Sequence, residues 1–482
     1  MSFSRRSFLA TAAASAAFAG YARLAHAQEA DAAPETYRNE AHGYGPLVAD
    51  PYGLLDLPQG FSYRVVSQAG ETMSDGFYAP FKADGMGCFA AGGSRVILVR
   101  NHELKPTDRN FGPLGLGRKL ATETGGGLFD RGAPRLGRDR VYDMDDEGFA
   151  LPGGCTILHY DLADRRLVSQ HLALAGTAVN CAGGVTPWGS WLTCEETTLT
   201  AGLGLGKDHG WVFEVPARSR GLVEPEPLKG LGRFQHEAAC VDPRTGVVYL
   251  TEDSWDHMGL FYRFLPASPG ELAKGGRLQA LGFRDAPAGG DSRNREGVAW
   301  RQGDWKEVVW IDLDGVDNPM DDLRFRGHGK GAAYFARGEG IHFGNGELYF
   351  TCTSGGAPGH GQVMRYVPSP REGHADEATQ PGRLQLFLEP GDETVLDYGD
   401  NLTVAPWGHL VVCEDRYSDE LRNHVRGITP EGKVYTLARN VFRDNAEVAG
   451  VCFSPDGSTL FVNIYWPGIT LAITGPWNEF GG

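Results

Sequence analysis

The sequence predicts an all-β protein, a six-bladed β-propeller. Three observations predict it: a hairpin pattern that recurs along the chain, polar residues that recur at one end of each copy, and a composition suited to short strands and tight turns. The 482 residues include 68 glycines and are 41% hydrophobic, which is too apolar for disorder and rich in turn formers. The clearest pair of copies is NCAGGVTPWGSWLTCEET (180–197) and DNLTVAPWGHLVVCED (400–415), which align without a gap through PWG. In that register Cys181 falls on Asp400, Glu195 on Glu414 and Glu196 on Asp415.

Four more segments share the layout: GMGCFAAGGSRVILVRNHE (85–103), HEAACVDPRTGVVYLTED (236–253), GEGIHFGNGELYFTCTS (338–354) and AEVAGVCFSPDGSTLFVNIY (446–465). Each runs from a small or acidic opening through an apolar strand, a tight turn and a second apolar strand that ends in polar residues. Turns of the PWG, NG and PDG type are hairpin chemistry. Six such hairpins at unequal intervals suit a propeller with insertions between blades; a β-sandwich or a pair of barrels is the competing architecture.

In a propeller the inner strands line one channel, and antiparallel pairing brings the start of the first strand and the end of the second to the same mouth. The strand-opening position then holds Cys181, Glu237, Glu339 and Asp400, with Glu447 two residues out of register. The strand-closing position holds Asn101-His102-Glu103, Glu195-Glu196, Glu252-Asp253 and Glu414-Asp415. Carboxylates gathered this way repel one another and raise their own pKa values unless cations hold them. Oxygen donors suit calcium, magnesium or manganese, and a thiolate adds a preference for a transition metal. The predicted site is therefore a multinuclear metal cluster at one mouth, with Glu103, Cys181, Glu195, Glu196, Glu237, Glu339, Asp400 and Glu414 as metal ligands. Cys181 as a small buried residue is the alternative.

The first residues, MSFSRRSFLATAAASAAFAGYARLAHA, carry a twin arginine at Arg5-Arg6 followed by Ser7-Phe8-Leu9, an alanine-rich stretch and the small-x-small site Ala25-His26-Ala27. This reads as a twin-arginine signal peptide over 1–27, ahead of a single domain over 28–482. The expected partner is the twin-arginine export machinery, and the expected location is periplasmic or secreted, with no membrane anchor. The net charge is −16, from 61 acidic and 45 basic residues; such a chain is a poor nucleic-acid binder, because phosphate backbones require clustered Lys and Arg. Eight cysteines in an exported chain allow disulfides. Cys194 and Cys413 share a strand position, as do Cys240 and Cys452, and such placement fits small buried hydrophobes, although one or two disulfides stay open.

RNHE (100–103), NCAGGVTPWGSWLTCEE (180–196), FQHEAACVDP (234–243), ARGEGI (336–341), DNLTVAPWGHLVVCED (400–415), AGVCFSPDGSTLFVNI (449–464) and PGITLAITGPW (467–477) together resemble the PhoX family of twin-arginine-exported alkaline phosphatases. The resemblance runs in order from about residue 80 to the C-terminus. It implies a six-bladed propeller that hydrolyses phosphate monoesters with Fe3+ and Ca2+ in the channel; the chain is expected to act as a monomer on a small phosphate ester. It further implies iron ligation by Cys181, Glu237 and Glu339, calcium ligation from Glu103 and the Glu195-Glu196 pair, and substrate phosphate binding by Arg337. Arg337 and Glu339 are thus the catalytic candidates, with ion pairing to a neighbouring carboxylate as the other reading of Arg337. Two departures stand out: Gly338 where the family has proline, and Tyr465-Trp466 where it has Gln-His.

GLGLGKDHG (202–210) lacks the glycine spacing and the hydroxyl residue of a phosphate loop and reads as an inter-strand loop. DMDDEG (143–148) and DLDGVDNPMDD (312–322) miss the calcium-loop spacing and read as solvated acidic faces. Without GxSxG or HExxH, a serine hydrolase or a zincin is disfavoured. The competing functions are a calcium-dependent propeller lactonase and a non-catalytic periplasmic binding protein, neither of which needs a thiolate ligand.

Overall fold

Six antiparallel hairpins carry the six repeated segments. They pair Ala83–Gly92 with Arg95–His102, Asn180–Val185 with Ser190–Glu195, His236–Val241 with Val248–Glu252, Gly338–Gly344 with Glu347–Cys352, Gly399–Val404 with Leu410–Glu414, and Val448–Phe453 with Leu460–Ile464. They are called the first to sixth hairpins below. In the two PWG turns the glycines Gly189 (φ 88°) and Gly408 (φ 89°) take the left-handed conformation that closes the loop. The structure is a computed structural model and describes residues 37–114, 136–202, 204–297, 299–417, 421–443 and 445–481. The signal segment 1–27 lies outside the described residues.

The first strand of each hairpin lies against the first strand of the next, and the sixth lies against the first, so the inner strands form a closed ring. Glycine permits the close approach: a Cβ on Gly85 would stand 2.4 Å from the Cα of Ala182, and one on Gly340 would stand 2.7 Å from the Cα of Asn401. Outer strands extend each hairpin. The first gains Gly153–Asp161 and Arg166–Thr177, and the second gains only Val212–Pro216. The sixth gains Ile469–Thr474 and then Ser62–Gln68, so one sheet joins an early strand to the last strand among the described residues.

The molecule is all-β with a propeller-like arrangement. Its sheets do not separate into the six equal blades expected from the repeat. Trp305–Asp312 pairs with the outer strands of both the third and fourth hairpins and fuses them into one nine-stranded sheet. The fifth hairpin adds His424–Ile428 and Val434–Asn440, then Leu55–Pro58 and Leu47–Val48, to make a six-stranded sheet. The sheets around the second, sixth and first hairpins have three, four and four strands. The long insertion after the third hairpin supplies the fusing strand, and hairpin periodicity carries no information about it.

Apolar clusters fill the spaces between neighbouring sheets, the largest between the third and fourth hairpins around Tyr249, Phe261, Phe350 and Tyr366. All eight cysteines are free thiols. Cys194 and Cys413 are fully buried at equivalent strand positions, so they pack as small hydrophobes.

The sheet that joins Ser62–Gln68 to Ile469–Thr474 provides a direct test of packing. Leu471 is fully buried in it, whereas Val65 is 41% exposed. Leu471→Ala is expected to lower unfolding stability by about 3 kcal/mol and Val65→Ala by under about 1 kcal/mol, read from urea midpoints.

Candidate metal centre

The local geometry that builds the site is a bulge. In five hairpins the register shifts at the head of the first strand: between Ala83 and Met86, Asn180 and Gly183, His236 and Ala239, Gly338 and Ile341, and Gly399 and Leu402. A bulge leaves a residue outside the ladder and re-aims its side chain. The residue that opens each shifted stretch is Asp84, Cys181, Glu237, Glu339 or Asp400. In the sixth hairpin the shift falls between Ala449 and Cys452, and Ala449 occupies the equivalent place.

Bulges also strand backbone carbonyls, and the neighbouring hairpin supplies donors. Asn463 Nδ2 donates to Asp84 O at 2.6 Å, and Asn101 Nδ2 donates to Cys181 O at 3.1 Å. Thr251 Oγ1 donates to Glu339 O at 2.5 Å, and Thr351 Oγ1 donates to Asp400 O at 2.7 Å. Asp84, Cys181, Glu339 and Asp400 are therefore each held by their own strand and by the preceding hairpin in the ring.

A second tier comes from the residue just past each hairpin. Glu103, Glu196, Asp253, Thr353, Asp415 and Tyr465 each donate a backbone N–H across to the carbonyl of Lys82, Val179, Gln235, Arg337, Tyr398 or Glu447, respectively. These bonds place Arg337 and Lys82 at equivalent positions, the two cations of that tier, and put Glu447 where the fourth hairpin has its arginine.

The acids of both tiers form one electrostatic unit. Burial pushes the Glu237 carboxyl well up, and Glu339 and Asp400 add to it. Burial does the same to Asp84, helped by Glu103, and to Glu196, helped by Asp253. Burial and Asp415 push Asp400 up to about 7. Burial and Asp84 raise the Cys181 thiol, whose Sγ lies 3.3 Å from Glu237 Oε1 and 3.5 Å from Asp84 Oδ2.

The donor set fits metal ions. Cys181, Glu196 and Glu237 present ligand atoms within 4.8 Å of one another, as do Glu237, Glu339 and Asp400, so Glu237 is common to both groups. Asp84 Oδ1 and Glu237 Oε2 are buried with no hydrogen-bond partner, a costly state for a carboxylate that a cation relieves.

The alkaline phosphatase PhoX family matches residues 42–468. The chain belongs to that family. Its activity class is accordingly that of a metal-dependent phosphatase. The PhoX of Pseudomonas fluorescens, solved in complex with vanadate, a transition state analogue, has a similar fold with a TM-score of 0.64 and 18% identity, covering 93% of this chain and 99% of that one. A gluconolactonase from Xanthomonas campestris is a more distant likeness, with a TM-score of 0.33 and 14% identity over 86% of this chain and 100% of that one. No curated protein matches the chain.

The PhoX ring brings Glu103, Cys181, Glu196, Glu237, Glu339 and Asp400 together. It does not gather Glu195 and Glu414, which point away from the channel. Glu195 accepts from the backbone N–H groups of Ala178, Gly210 and Trp211 and from His209 Nδ1 at 2.7 Å. Glu414 accepts from Asp397 N and His424 N, and Glu252 accepts from Leu260 N and Tyr262 Oη. Successive strand residues face opposite ways, so in each paired acid the first braces the adjoining strand and the second faces the channel. That alternation was readable in CEE, TED and CED. Asp253 and Asp415, noted in the sequence only as halves of pairs, are the channel members. Asp84 had no signal beyond its place before GMG.

Arg337 is ion-paired with neighbouring carboxylates. Its Nε and Nη2 form two bonds to Asp253 at 2.8 and 2.7 Å, Nη2 lies 3.3 Å from Glu339 Oε1, and the Trp255 ring covers it at 4.1 Å. Tyr465, one of the two departures, donates its hydroxyl to Glu103. DMDDEG is not a solvated face throughout: Asp143 is buried and accepts from Gly206 N, Lys207 N and His209 Nε2, which anchors GLGLGKDHG. A separate group, His360, Glu393 and Asp397, lies off the ring, with Asp397 bonded to Arg416 Nη2 at 2.6 Å.

The two faces of the paired acids separate experimentally. Glu196→Gln is expected to lower metal content while the fold keeps its stability. Glu195→Ala is expected to cost about 3 kcal/mol, because it strands buried donors. Elemental analysis and urea unfolding of both variants check this. His209 adds a pH signature. Burial opposes its charge, but Glu195 and Asp143 outweigh that and raise its pKa to about 9. With an unfolded value near 6.5, its stabilising contribution is complete below that pH and is lost as pH rises through about 9. The melting-temperature gap between wild type and His209→Gln is expected to be widest near pH 6 and to close toward pH 9.

Proposed function

We propose that this phosphatase hydrolyses phosphate monoesters with iron and calcium held in the ring, and that Arg337 binds the substrate phosphate. The observation that carries the reading is the mixed donor set around Glu237, a thiol on one side and carboxylates on the other. Cys181, Glu237 and Glu339 suit iron, because a thiolate favours a transition metal over calcium. Glu103, Glu196, Asp253, Asp400, Asp415 and Glu447 offer the oxygens that calcium takes. Bound cations supply Lewis-acid polarisation of the phosphoryl group and neutralise the ring.

The chain's own residues do the rest. Asp253 fixes the plane of the Arg337 guanidinium through two parallel bonds, and Glu339 lies against the same nitrogen. A guanidinium held this way is oriented before substrate arrives and can bridge two phosphoryl oxygens. The ring acids would repel a phosphate dianion, so loading with cations is a condition for binding substrate.

Counting each inner hairpin with its outer strands as one blade, we assign six blades to a single domain over 28–482, acting as a monomer. The twin arginine and cleavage site support export through the twin-arginine machinery to the periplasm or medium. No helix among the described residues is long and apolar enough to cross a membrane.

Elemental analysis of protein purified from its native compartment is expected to find iron and calcium together, and Cys181→Ala is expected to lose iron. Loaded protein is expected to hydrolyse p-nitrophenyl phosphate, with kcat/KM lowered about 100-fold in Arg337→Ala. Calcium alone in folded protein would sink the iron assignment, and undiminished turnover in Arg337→Ala would sink the role of the arginine.

A further inference from the structure

Two of the most exposed aromatic side chains stand at the channel mouth. Trp255 is 62% exposed and Tyr417 is 66% exposed; among the described large hydrophobic residues only Met320 exceeds them. Exposing rings of this size costs hydration free energy, and such residues mark interaction sites more often than chance.

Their positions in the ring are equivalent. Trp255 lies two residues past Asp253, the channel acid of the third hairpin. Tyr417 lies two residues past Asp415, the channel acid of the fifth. The fourth hairpin, between them, carries Arg337 and has Gly355 at the matching position. Gly355 has no room for a side chain, since a Cβ there would stand 2.2 Å from Gln362 Oε1. The rim therefore has an aromatic residue on each side of the arginine and none on the hairpin that carries it.

Both rings are tied to the arginine. Trp255 stacks one face on the guanidinium at 4.1 Å. Tyr417 lies close enough to couple electrostatically with Arg337, bonds to Asp415, and meets the Tyr398 ring edge-on at 5.7 Å. Each keeps the rest of its surface toward solvent.

We propose that Trp255 and Tyr417 form a rim platform for the base of a nucleoside monophosphate whose phosphate binds Arg337. This rests on the phosphatase reading above and names its substrate class. The base would stack on the free aromatic surface, with the ribose spanning the distance from there to the phosphate. Such stacking tolerates any base, because each has a π face. A leaving group without a ring gains nothing from the platform.

The test compares adenosine 5′-monophosphate with glycerol 3-phosphate on fully metallated protein. The ratio of kcat/KM for the nucleotide to that for glycerol phosphate is expected to fall about tenfold in Trp255→Ala and in Tyr417→Ala, the size that alanine substitution gives at base-stacking platforms. The fall is expected to lie in KM, and Trp255→Phe and Tyr417→Phe are expected to restore most of the ratio. An unchanged ratio in both alanine variants overturns the proposal. So does an equal loss on both substrates in Tyr417→Ala, which would make that residue a general support of the site. A binding readout separates this from failure of the phosphatase reading: adenosine monophosphate is expected to quench tryptophan fluorescence, glycerol phosphate is not, and Trp255→Phe is expected to abolish the quench. Turnover of glycerol phosphate without any nucleotide quench sinks the platform alone. A quench without turnover of either ester sinks the phosphatase reading and leaves the platform standing.

Discussion

The structure depends on one recurring constraint, the bulge at the head of the inner strands. A strand in perfect register would direct the opening residue along the ladder's regular alternation and pair its carbonyl within the sheet. The shift frees that carbonyl, and the neighbouring hairpin must satisfy it, as Asn463 does for Asp84 and Thr351 for Asp400. The same bonds stitch hairpin to hairpin around the ring. Site geometry and ring closure thus have a common cause, and a loosened bulge would disturb both.

The paired acids show how stability and chemistry share two adjacent residues. Glu195, Glu252 and Glu414 are saturated by backbone N–H groups, a histidine or a tyrosine, so their cost of burial is offset inside the fold. Glu196, Asp253 and Asp415 face a crowd of like charges that only counter-ions relieve. Arg337 and Lys82 are the two cations of that tier, and Asp253 and Asp108 already hold them. The acids that face the channel therefore outnumber the side-chain cations beside them, which makes cation binding favourable.

Much of this was legible. The six hairpins and the alignment of Cys181, Glu237, Glu339 and Asp400 followed from the repeat, because bulge and turn recur with the sequence that causes them. The division of labour within Glu195-Glu196 followed from strand alternation but was obscured by the run of acids, which reads as one cluster when facing is ignored. Asp84 was hidden because its neighbours in the first segment resemble the other copies only weakly. The fused nine-stranded sheet was not legible, since Trp305–Asp312 lies in an insertion and pairs at the outer edges of two sheets. Trp255 and Tyr417 acquire meaning only once the ring sets their common offset from Asp253 and Asp415.

The sheet that joins Ser62–Gln68 to Ile469–Thr474 governs when the centre can exist. Asp84 and Glu103 belong to the first hairpin, yet Asp84 is held by Asn463 and Glu103 is bonded by Tyr465, both near the end of the chain. A ribosome-bound chain lacks those partners until Asn463 and Tyr465 have been made. Contacts separated by so much sequence form late, after the cost of closing a very long loop. The part of the ring built from Asp84 and Glu103 is thereby completed only after the sixth hairpin has closed onto the first.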